Sequence, residues 1–375
     1  MFIKSLNIKS FRNIKTLKIN FSEGINLLIG DNAQGKTNLL EAIYYLSTGR
    51  SFRTKRDNEC ISWENPDAVS FFEGEICKNL CLIKISTAIS KTTKQVQMNS
   101  KKIGRLADLI GNLRAVLFLP TDLNLIKGSP SHRRDYLDME ISQIDNSYLA
   151  NLQDYQEVLK QRNMLLKKIS KSLAKESHLE IWDKQFIELA WKITKKRSDF
   201  LNNIEPIVAS LLKNISEDAE KVEIKYAHSA GVKKNLQEDI FKPDLANILK
   251  KQLSENIRYN NTTSGPHRDD FSVNINTHNL KMYGSQGQQR SCVLALKLAE
   301  VQLMKQLTGE YPILLLDDVL SELDEHRQNH LFDNIPDNVQ AIMTSTDTCN
   351  LNFSNRNNVK IFNVKNGNFN TFNNI

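Results

Sequence analysis

The sequence predicts an α/β fold with mixed sheets, interrupted by an inserted and mainly helical second lobe. Strand-like alternation of apolar and polar residues fills most of the first 120 residues, and a glycine-rich turn lies within it. A helical pattern then runs to about residue 261, after which strand and helix alternate again. With 375 residues, the chain is long enough for a large core domain and a second unit.

The first segment has the pattern of a strand hairpin, a buried strand and a helix. Residues 2–11 and 17–21 alternate and predict two antiparallel strands. Residues 25–29 form a short apolar run, which is typical of a buried strand. From Asn38 the apolar spacing becomes helical and predicts a helix that ends near Gly49, and residues 69–119 predict further sheet.

The helical segment contains two runs with coiled-coil-like spacing. Apolar residues from Tyr148 to Ile169 recur at alternating four- and three-residue steps, with Arg162 filling one gap. A second run from Leu179 to Phe200 repeats this spacing across Lys196. The short polar link predicts an antiparallel helical hairpin, either projecting or packed on a core. We therefore expect one lobe from residues 1–120 and 262–375, and a helical lobe from residues 121–261.

Composition excludes several classes of protein. Hydrophobic residues make up 40% and charged residues 25%, which excludes a disordered or collagen-like chain. No apolar run approaches the roughly 20 residues of a membrane helix, and the start lacks a secretory apolar stretch. We expect a soluble, cytoplasmic protein without a membrane partner. Reduced thiols are expected for the five cysteines, which are Cys60, Cys77, Cys81, Cys292 and Cys349.

The net charge of +7 is unevenly distributed. Residues 1–57 carry ten Lys or Arg against four Asp or Glu, and residues 158–200 carry eleven against five. A local basic excess suits a polyanion surface, although a solvated helix face has the same composition. The charge pattern alone leaves both interpretations open.

A phosphate-loop motif is the most specific signal in the chain. Gly30 to Thr37 match G-x-x-x-x-G-K-[ST] between a predicted strand and a predicted helix. In this motif the backbone amides and the helix dipole face phosphates, Lys36 reaches the terminal phosphates and the hydroxyl of Thr37 serves Mg²⁺. The residues expected to contact a nucleotide here are Gly30, Asp31, Asn32, Ala33, Gln34, Gly35, Lys36, Thr37 and Asn38.

Two further elements fit the same chemistry. Ile313 to Leu316 form an apolar strand that ends in Asp317 and Asp318. Asp317 would serve the metal, and Asp318 would face the γ-phosphate and polarise an attacking water. Ser285, Gly287 and Gln288 belong to a turn that leads into a helix, which is either an anion site or an ordinary helix cap.

In this order, the motifs resemble the nucleotide-binding head of ABC-type ATPases, specifically the branch with helical insertions that works on DNA. Residue by residue, the chain is similar to the RecF family of bacterial recombination-repair ATPases. The blocks that carry the resemblance are Phe11-Arg12-Asn13, Gly30 to Thr37, Gly49 to Thr54, Pro120 to Leu123, Gly128 to Pro130, Arg133 to Asp138, Thr263 to Asp270, the Ser285 turn, Leu316 to Asp318 and Ser321 to Asp324.

The resemblance implies a function as well as a fold. ATP and Mg²⁺ would be the cofactors, with Lys36 and Asp318 catalytic and with Thr37 and Asp317 at the metal. The Ser285 turn would contact ATP held by a second copy, so that a homodimer forms on ATP. The family further implies binding to double-stranded DNA near single-strand gaps and stalled forks, action with RecR and RecO to help RecA load, a part in the SOS response, and a weak, DNA-stimulated ATPase that acts as a timer.

The chain departs from the wider ABC pattern in three places. Asp318 stands where most members carry Glu, Thr344 to Asp347 replace a switch His, and no Gln follows residues 116–119. The runner-up function is the ATP-binding subunit of a membrane transporter, which the helical insertion disfavours. A defence nuclease is a third alternative, although no metal-dependent nuclease cluster follows the head.

Several polar residues have both a structural and a functional interpretation. Arg133 and Arg134 are expected to form ion pairs slightly more than to contact phosphate. His267-Arg268 either anchors a buried loop or signals between lobes. Four basic residues are equally well explained as DNA contacts and as solvated surface: Arg50, Arg53, Lys55 and Arg56. Cys77 and Cys81 have no second pair at metal-site spacing, which favours strand packing over zinc.

Overall fold

A computed structural model of the chain describes residues 1–215, 220–229, 236–346 and 358–371. The chain divides into two compact units, one from Met1–Asp122 and Arg290–Ile375 and the other from Leu123–Gln289. The second boundary therefore lies later than the predicted 261/262. The reason is strand pairing, because residues 270–275 pair with residues 222–227 of the helical segment and not with a strand of the first unit.

The described strands of the first unit form two sheets. The antiparallel sheet contains β1 (Phe2–Phe11), β2 (Ile14–Asn20), β4 (Ser70–Lys78), β5 (Cys81–Ile89), β6 (Lys94–Met98) and β7 (Lys101–Lys102), in the order β2-β1-β4-β5-β6-β7. The other sheet contains β3 (Ile25–Ile29), β8 (Ala115–Phe118), β12 (Ile313–Leu316), β13 (Ala341–Ser345), β14 (Lys360–Lys365) and β15 (Asn368–Thr371), in the order β15-β14-β3-β13-β12-β8. Its strands are parallel except β15.

The two sheets differ in their sequence pattern because they differ in burial. Residues of β4 alternate between buried and half-buried, which fits a sheet with one face on the core. All residues of β8 and β12 are buried, as expected for parallel strands covered on both faces.

Helix α1 (Lys36–Thr48) joins the two sheets into one core. It contacts β1, β4 and β5 of the antiparallel sheet and β8 and β13 of the parallel sheet. Its apolar residues are buried on every side, including Leu39, Ile43 and Tyr45. The phosphate-loop helix is therefore held between two sheets, which fixes the direction in which its first turn faces.

The described residues form ten further helices. They are α2 (Leu106–Leu109), α3 (Asn124–Lys127), α4 (Pro130–Ile144), α5 (Asn146–Ile169), α6 (Leu179–Ile215), α7 (Glu238–Lys251), α8 (Leu253–Tyr259), α9 (Leu280–Tyr283), α10 (Gln286–Thr308) and α11 (Glu325–Asn334), with short 3₁₀ turns at Asp57–Cys60, Pro120–Leu123, Glu176–His178 and Leu320–Glu322. In the described part of the chain, every helix falls short of the length or apolar character that crossing a membrane requires.

The second unit is mainly helical and contains a small antiparallel sheet. That sheet consists of β9 (Val222–Ala227), β10 (Asp270–Ile275) and β11 (His278–Asn279), in the order β11-β10-β9. Helices α5 and α6 run in opposite directions, since Arg162 meets Asp183 near one end and Arg197 meets Tyr148 near the other.

The seam, which is the line of contacts between α5 and α6, explains the gap at Arg162 in the apolar pattern. It also corrects the position of the gap in α6. Arg162 is fully buried and forms a 2.7 Å ion pair with Asp183. In α6 the seam position between Ile193 and Phe200 is occupied by Arg197, which is 2% exposed, and not by the predicted Lys196. Lys196 is instead half-exposed and pairs with Asp145.

Candidate functional site

The loop between β3 and α1 has a backbone that few side chains would permit. A Cβ on Gly30 would lie 2.2 Å from the carbonyl oxygen of Val364. Gly35 has a φ of 110° and caps α1, while Ala33 also adopts a left-handed conformation with a φ of 66°. These two constraints explain why glycine occurs at both ends of the loop, and the turn directs the amino-terminal amides of α1 into the cavity.

The side chain of Lys36 is folded over this loop. Its ammonium group donates to the carbonyl oxygens of Gly30 and, at 3.0 Å, of Asp31. Burial lowers the pKa of Lys36, while the negative charges of Asp318, Asp317 and Asp31 oppose that change. A largely buried cation is thus held by backbone carbonyls beside several carboxylates, which leaves it suited to an anionic ligand.

A chain of hydrogen bonds connects the loop helix to the acidic strand end. The hydroxyl of Thr37 donates to Oδ1 of Asp317 at 2.8 Å, and the hydroxyl of Thr344 donates to the same oxygen at 3.0 Å. The backbone N–H of Asp318 in turn donates to the hydroxyl of Thr344 at 2.7 Å. Three segments that are far apart in sequence are therefore held in one polar cluster.

The two carboxylates of this cluster occupy different environments. Asp317 is largely buried, and burial raises its pKa despite the hydrogen bonds from Thr37 and Thr344. Asp318 is half-exposed and has a left-handed backbone with a φ of 51°, which is uncommon for a residue other than glycine. Because such strain concentrates at functional sites, the conformation of Asp318 supports a functional role.

These groups line a cavity of about 340 Å³ in the first unit. The described lining residues are Arg12, Asn13, Asn32, Ala33, Gln34, Gly35, Lys36, Thr37, Asn38, Arg53, Trp63, Asp317, Asp318 and Thr344. Of the predicted phosphate-loop residues, Gly30 and Asp31 contribute through the carbonyls that hold Lys36. The structure thus brings the phosphate loop and the acidic pair together.

Five lining residues lie outside the site that the sequence predicts. Three of them come from the first antiparallel sheet and its loops, namely Arg12, Asn13 and Trp63. The sequence leaves Arg53 open between a DNA contact and solvated surface, and in the structure its guanidinium donates to Asn38 at 2.8 Å beside the loop. Arg12, Asn13 and Arg53 belong to blocks that carry the family resemblance, and Thr344 stands where the wider pattern has a switch His. None of these signals specifies a role in this cavity, and Trp63 has no sequence signal.

A buried carboxylate on α1 positions two of the cavity's arginines. Glu41 is completely buried and accepts two hydrogen bonds from Arg12, at 2.7 and 3.0 Å. It also accepts from the hydroxyl of Ser51 at 2.5 Å and lies 3.7 Å from Arg53. Since Glu41 lies one turn after Thr37, the loop helix itself orients the cationic wall of the cavity.

The Ser285 turn lies in the second unit and forms a capping box at the start of α10. The N–H of Gln288 donates to the Ser285 hydroxyl at 3.2 Å, and the N–H of Ser285 donates to the Gln288 side chain at 2.9 Å. Gly287 lies in the first helical turn between them. Because the hydroxyl of Ser285 accepts in this box, its own proton stays available to an anion.

Other candidates in the second unit have structural partners. Arg133 makes a two-point ion pair with Asp270, at 2.6 and 2.8 Å, and Arg134 donates to a backbone carbonyl. His267 bridges the hydroxyl of Tyr155 and the carbonyl of Thr262, and burial lowers its pKa to about 4. The anchoring interpretation of His267 and the ion-pair expectation for Arg133 are confirmed.

The described cysteines are free thiols. Cys60 and Cys292 are buried, Cys77 is half-buried and Cys81 is exposed, whereas Cys349 and Asp347 lie outside the described residues. Burial raises the pKa of the Cys60 thiol to about 12, which makes it unreactive at neutral pH. The described residues contain no cluster of three or more His, Cys, Asp or Glu that could hold a metal.

The donor set at the cavity nevertheless suits a magnesium ion. Thr37 and Asp317 present a hydroxyl and a carboxylate oxygen within hydrogen-bonding distance of each other. Mg²⁺ prefers oxygen ligands and usually retains waters and phosphate oxygens, so it needs only one or two protein ligands. The residues present therefore fit this ion.

Comparisons with known proteins agree with these observations. The family described as "RecF/RecN/SMC N terminal domain" matches residues 2–370. The DNA replication and repair protein RecF of an Exiguobacterium species is 43% identical over 372 residues, which is 98% of each chain. RecF of Macrococcus caseolyticus is 42% identical over 372 residues, covering 99% of this chain and all of that one.

Solved structures extend the comparison to three dimensions. A RecF–ATP structure of the RecFOR pathway superposes with a TM-score of 0.91 at 37% identity, covering 99% of this chain and 97% of that chain. The Smc head domain of Pyrococcus furiosus superposes at 0.56 with 16% identity, covering 99% of this chain and 96% of that chain, which shows likeness of fold alone. The predicted fold class is confirmed: an ABC-type P-loop ATPase head with mixed sheets and an inserted helical lobe.

Proposed function

The chain belongs to the RecF family, and from this premise we propose that it is an ATP-binding and ATP-hydrolysing protein that acts on DNA in replication and recombinational repair. One observation carries the proposal: Lys36, Thr37, Asp317 and Asp318 converge on one cavity through direct hydrogen bonds and close charges. The transporter alternative gains no support from the relatives, which are DNA replication and repair proteins.

Each of these residues has a role that its position supports. The ammonium of Lys36 would exchange its carbonyl partners for the terminal phosphates of ATP. Loop residues 30–35 and the start of α1 would supply amide donors to the other phosphates. Asp318, half-exposed at the cavity, would orient and polarise the attacking water.

Magnesium would be held by Thr37 and Asp317. A bound Mg²⁺ would screen the negative charge of the phosphates. Burial raises the pKa of Asp317, and a nearby cation would favour its carboxylate form. Thr344 keeps Asp317 and Asp318 in a fixed relation through its hydroxyl.

We further propose that ATP joins two copies of the chain. The Ser285 turn of one copy, with Ser285, Gly287 and Gln288 at the start of α10, would face the γ-phosphate held on Lys36 of the other. The helix dipole and the hydroxyl proton of Ser285 favour an anion there. Hydrolysis would remove the shared anion, so slow turnover would act as a timer for dimer opening.

The proposed setting is double-stranded DNA near single-strand gaps and stalled forks, in the cytoplasm. There the protein would act with RecR and RecO to help RecA load, as part of the response to DNA damage, and DNA would stimulate its weak ATPase. A solved relative is described as a recombination mediator of the RecFOR pathway, which supports this setting.

Sizing the protein with and without Mg-ATP tests the shared site. We expect wild type to dimerise with ATP, Lys36→Ala to bind no ATP and stay monomeric, and Ser285→Arg to bind ATP but stay monomeric. A mixture of the two variants should recover a dimer, since one composite site is then intact. Wild type that binds ATP yet remains monomeric would exclude the shared site.

The hydrolysis step is tested separately by Asp318→Asn. This variant should bind ATP and dimerise as wild type does, while its turnover falls by about 10²–10⁴-fold, the usual contribution of a general base. Steady-state phosphate release measures the loss. Unchanged turnover would assign the water-activating role to another residue.

The DNA contact is tested by charge reversal. With Arg53 assigned to the cavity, Arg50, Lys55 and Arg56 remain as exposed members of the basic cluster, and the adjacent Lys55 and Arg56 are chosen for reversal. Reversing both should flatten the dependence of DNA affinity on salt, because fewer counterions are released. Reversing Lys101 and Lys102 on strand β7 is the matched control, and an equal slope in both variants would remove the cluster from the DNA footprint.

A further inference from the structure

A tryptophan at the cavity wall has no role in the functions described so far. Trp63 lines the cavity of the phosphate loop, and 82% of its surface is exposed. Among the described lining residues it is the single aromatic side chain; the others are small, polar or charged. An exposed Trp is unremarkable elsewhere on a surface, but here it borders a site proposed to hold a nucleotide.

The backbone on either side of Trp63 is tied to the first strand. Ile61 bridges to Phe11, and the N–H of Ser62 donates to the carbonyl of Ser10 at 3.0 Å. The N–H of Arg12 donates to the carbonyl of Cys60 at 2.9 Å. The segment that leads to Trp63 is therefore fixed beside the Arg12-Asn13 turn, which itself lines the cavity.

The Arg12-Asn13 turn connects this wall to the phosphate loop. The side chain of Asn13 donates to the carbonyl of Ala33 at 3.4 Å and accepts from Asn38 at 2.7 Å. Glu64, next to Trp63, forms a 2.6 Å ion pair with Lys15 from strand β2. The backbone that leads to Trp63 is thus fixed beside the cavity wall, while the indole itself remains largely uncovered by protein.

The wall of the cavity combines two chemistries. Lys36, Thr37 and the carboxylates of Asp317 and Asp318 suit phosphates and a metal. A nucleotide whose phosphates bind these groups also needs a surface for its base, and a planar base binds best against an apolar or aromatic side chain. Trp63 supplies such a surface, and its two-ring face covers a purine better than a pyrimidine.

Resting on the proposed nucleotide-binding function, we propose that Trp63 stacks against the purine base of the nucleotide held by the phosphate loop. Stacking on an aromatic face is tolerant of base identity, so Trp63 contributes affinity for purines without choosing between adenine and guanine. ATP and GTP should therefore both lose affinity when the indole is removed, and UTP should lose less.

Four ligands and three proteins test this role. Trp63→Ala should weaken ATP binding by roughly tenfold, the effect typical of one lost base stack, whereas Trp63→Phe should remain within about threefold of wild type. Inorganic tripolyphosphate, which lacks a base, should bind Trp63→Ala and wild type equally. Isothermal titration with ATP, GTP, UTP and tripolyphosphate measures all of these affinities.

A spectroscopic readout reports the contact directly. The chain has three tryptophans, so Trp182→Phe with Trp191→Phe leaves Trp63 as the sole indole. Its emission should be quenched by ATP and unchanged by tripolyphosphate. Bound ATP that leaves the emission unaltered would overturn the stacking role.

The remaining outcomes separate this inference from the function on which it rests. If Trp63→Ala weakens ATP and tripolyphosphate equally, the residue acts on the loop and the stacking role is wrong. If Trp63→Ala weakens DNA binding and not ATP binding, the indole is a DNA contact. If Lys36→Ala fails to weaken either phosphate ligand, the proposed nucleotide site itself is wrong.

Discussion

Both units of this protein bury charged side chains, but they satisfy those charges differently. In the second unit, the guanidinium of Arg197 donates to Asp138 at 2.7 Å, to the hydroxyl of Tyr148 at 3.0 Å and to the carbonyl of Pro266 at 2.7 Å. In the first unit, the ammonium of Lys36 donates to backbone carbonyls of its own loop. The carboxylates of Asp31, Asp317 and Asp318 act on this ammonium through their negative charge.

This difference distinguishes a structural charge from a functional one. A buried ion with a full set of protein partners loses stability when one partner is removed. A buried ion that is held by carbonyl groups of its own loop can exchange them for a ligand, and the surrounding structure stays folded. Glu41 combines the two cases, because it is fully paired and yet orients Arg12 at the cavity.

The largest expected effect on stability follows from removing Arg197. Arg197→Ala leaves Asp138 without its buried partner and should lower the free energy of unfolding by about 3–5 kcal/mol. Urea unfolding followed by circular dichroism measures the change. Lys196→Ala is the matched control, because its half-exposed pair with Asp145 contributes about 0–1 kcal/mol. Equal losses in the two variants would contradict the contrast.

Removing Lys36 should reduce ATP turnover strongly and leave the free energy of unfolding nearly unchanged, in contrast to removing Arg197. Lys36→Ala should reduce ATP turnover by about 10²-fold or more, the effect of losing one preorganised electrostatic contact. The free energy of unfolding without nucleotide should change by less than about 1 kcal/mol, since the lost carbonyl contacts are offset by relief of desolvation. Turnover assays and urea unfolding give the two values, with exposed Lys18→Ala as the control. A large loss of stability would show that Lys36 is structural.

Substitution of Glu41 should lower both the free energy of unfolding and the affinity for ATP. Glu41→Gln keeps the shape of the side chain but removes its charge, and should cost about 1.5–3 kcal/mol through weaker bonds to Arg12. Because Arg12 lines the cavity, ATP affinity should fall in the same variant. Asp67→Asn, at an exposed ion pair with Lys91, should change neither measurement appreciably. Lost stability with unaltered ATP affinity would separate Arg12 from nucleotide binding.

A pH dependence of stability arises from His267 in the wild-type chain. Burial lowers the pKa of His267 from 6.5 to about 4 in the folded state. Below pH 6.5 the unfolded chain therefore binds a proton at this residue that the folded protein does not bind. Between pH 7.5 and pH 5 this should remove about 2 kcal/mol of stability. Urea unfolding of wild type and His267→Gln at both pH values tests it. Equal pH dependence in the two proteins would refute the assignment.

The sequence by itself determined the parts whose physics is local. The phosphate loop was predictable because its glycines, lysine and threonine act within eight consecutive residues between a strand and a helix. The apolar run before Asp317 indicated a buried strand, and the seven-residue spacing indicated the paired helices α5 and α6. These signals depend on backbone conformation and on side-chain period, which a short window contains.

Tertiary structure alone decided which distant side chains complete the cavity. Arg12, Arg53, Trp63 and Thr344 reach it from four separate segments, and only sheet order and the packing of α1 bring them together. The same holds for Arg197, whose place in the seam depends on Asp138 and Tyr148, and for the later unit boundary, which follows from β9 pairing with β10. Such contacts join residues far apart along the chain, so no local pattern encodes them.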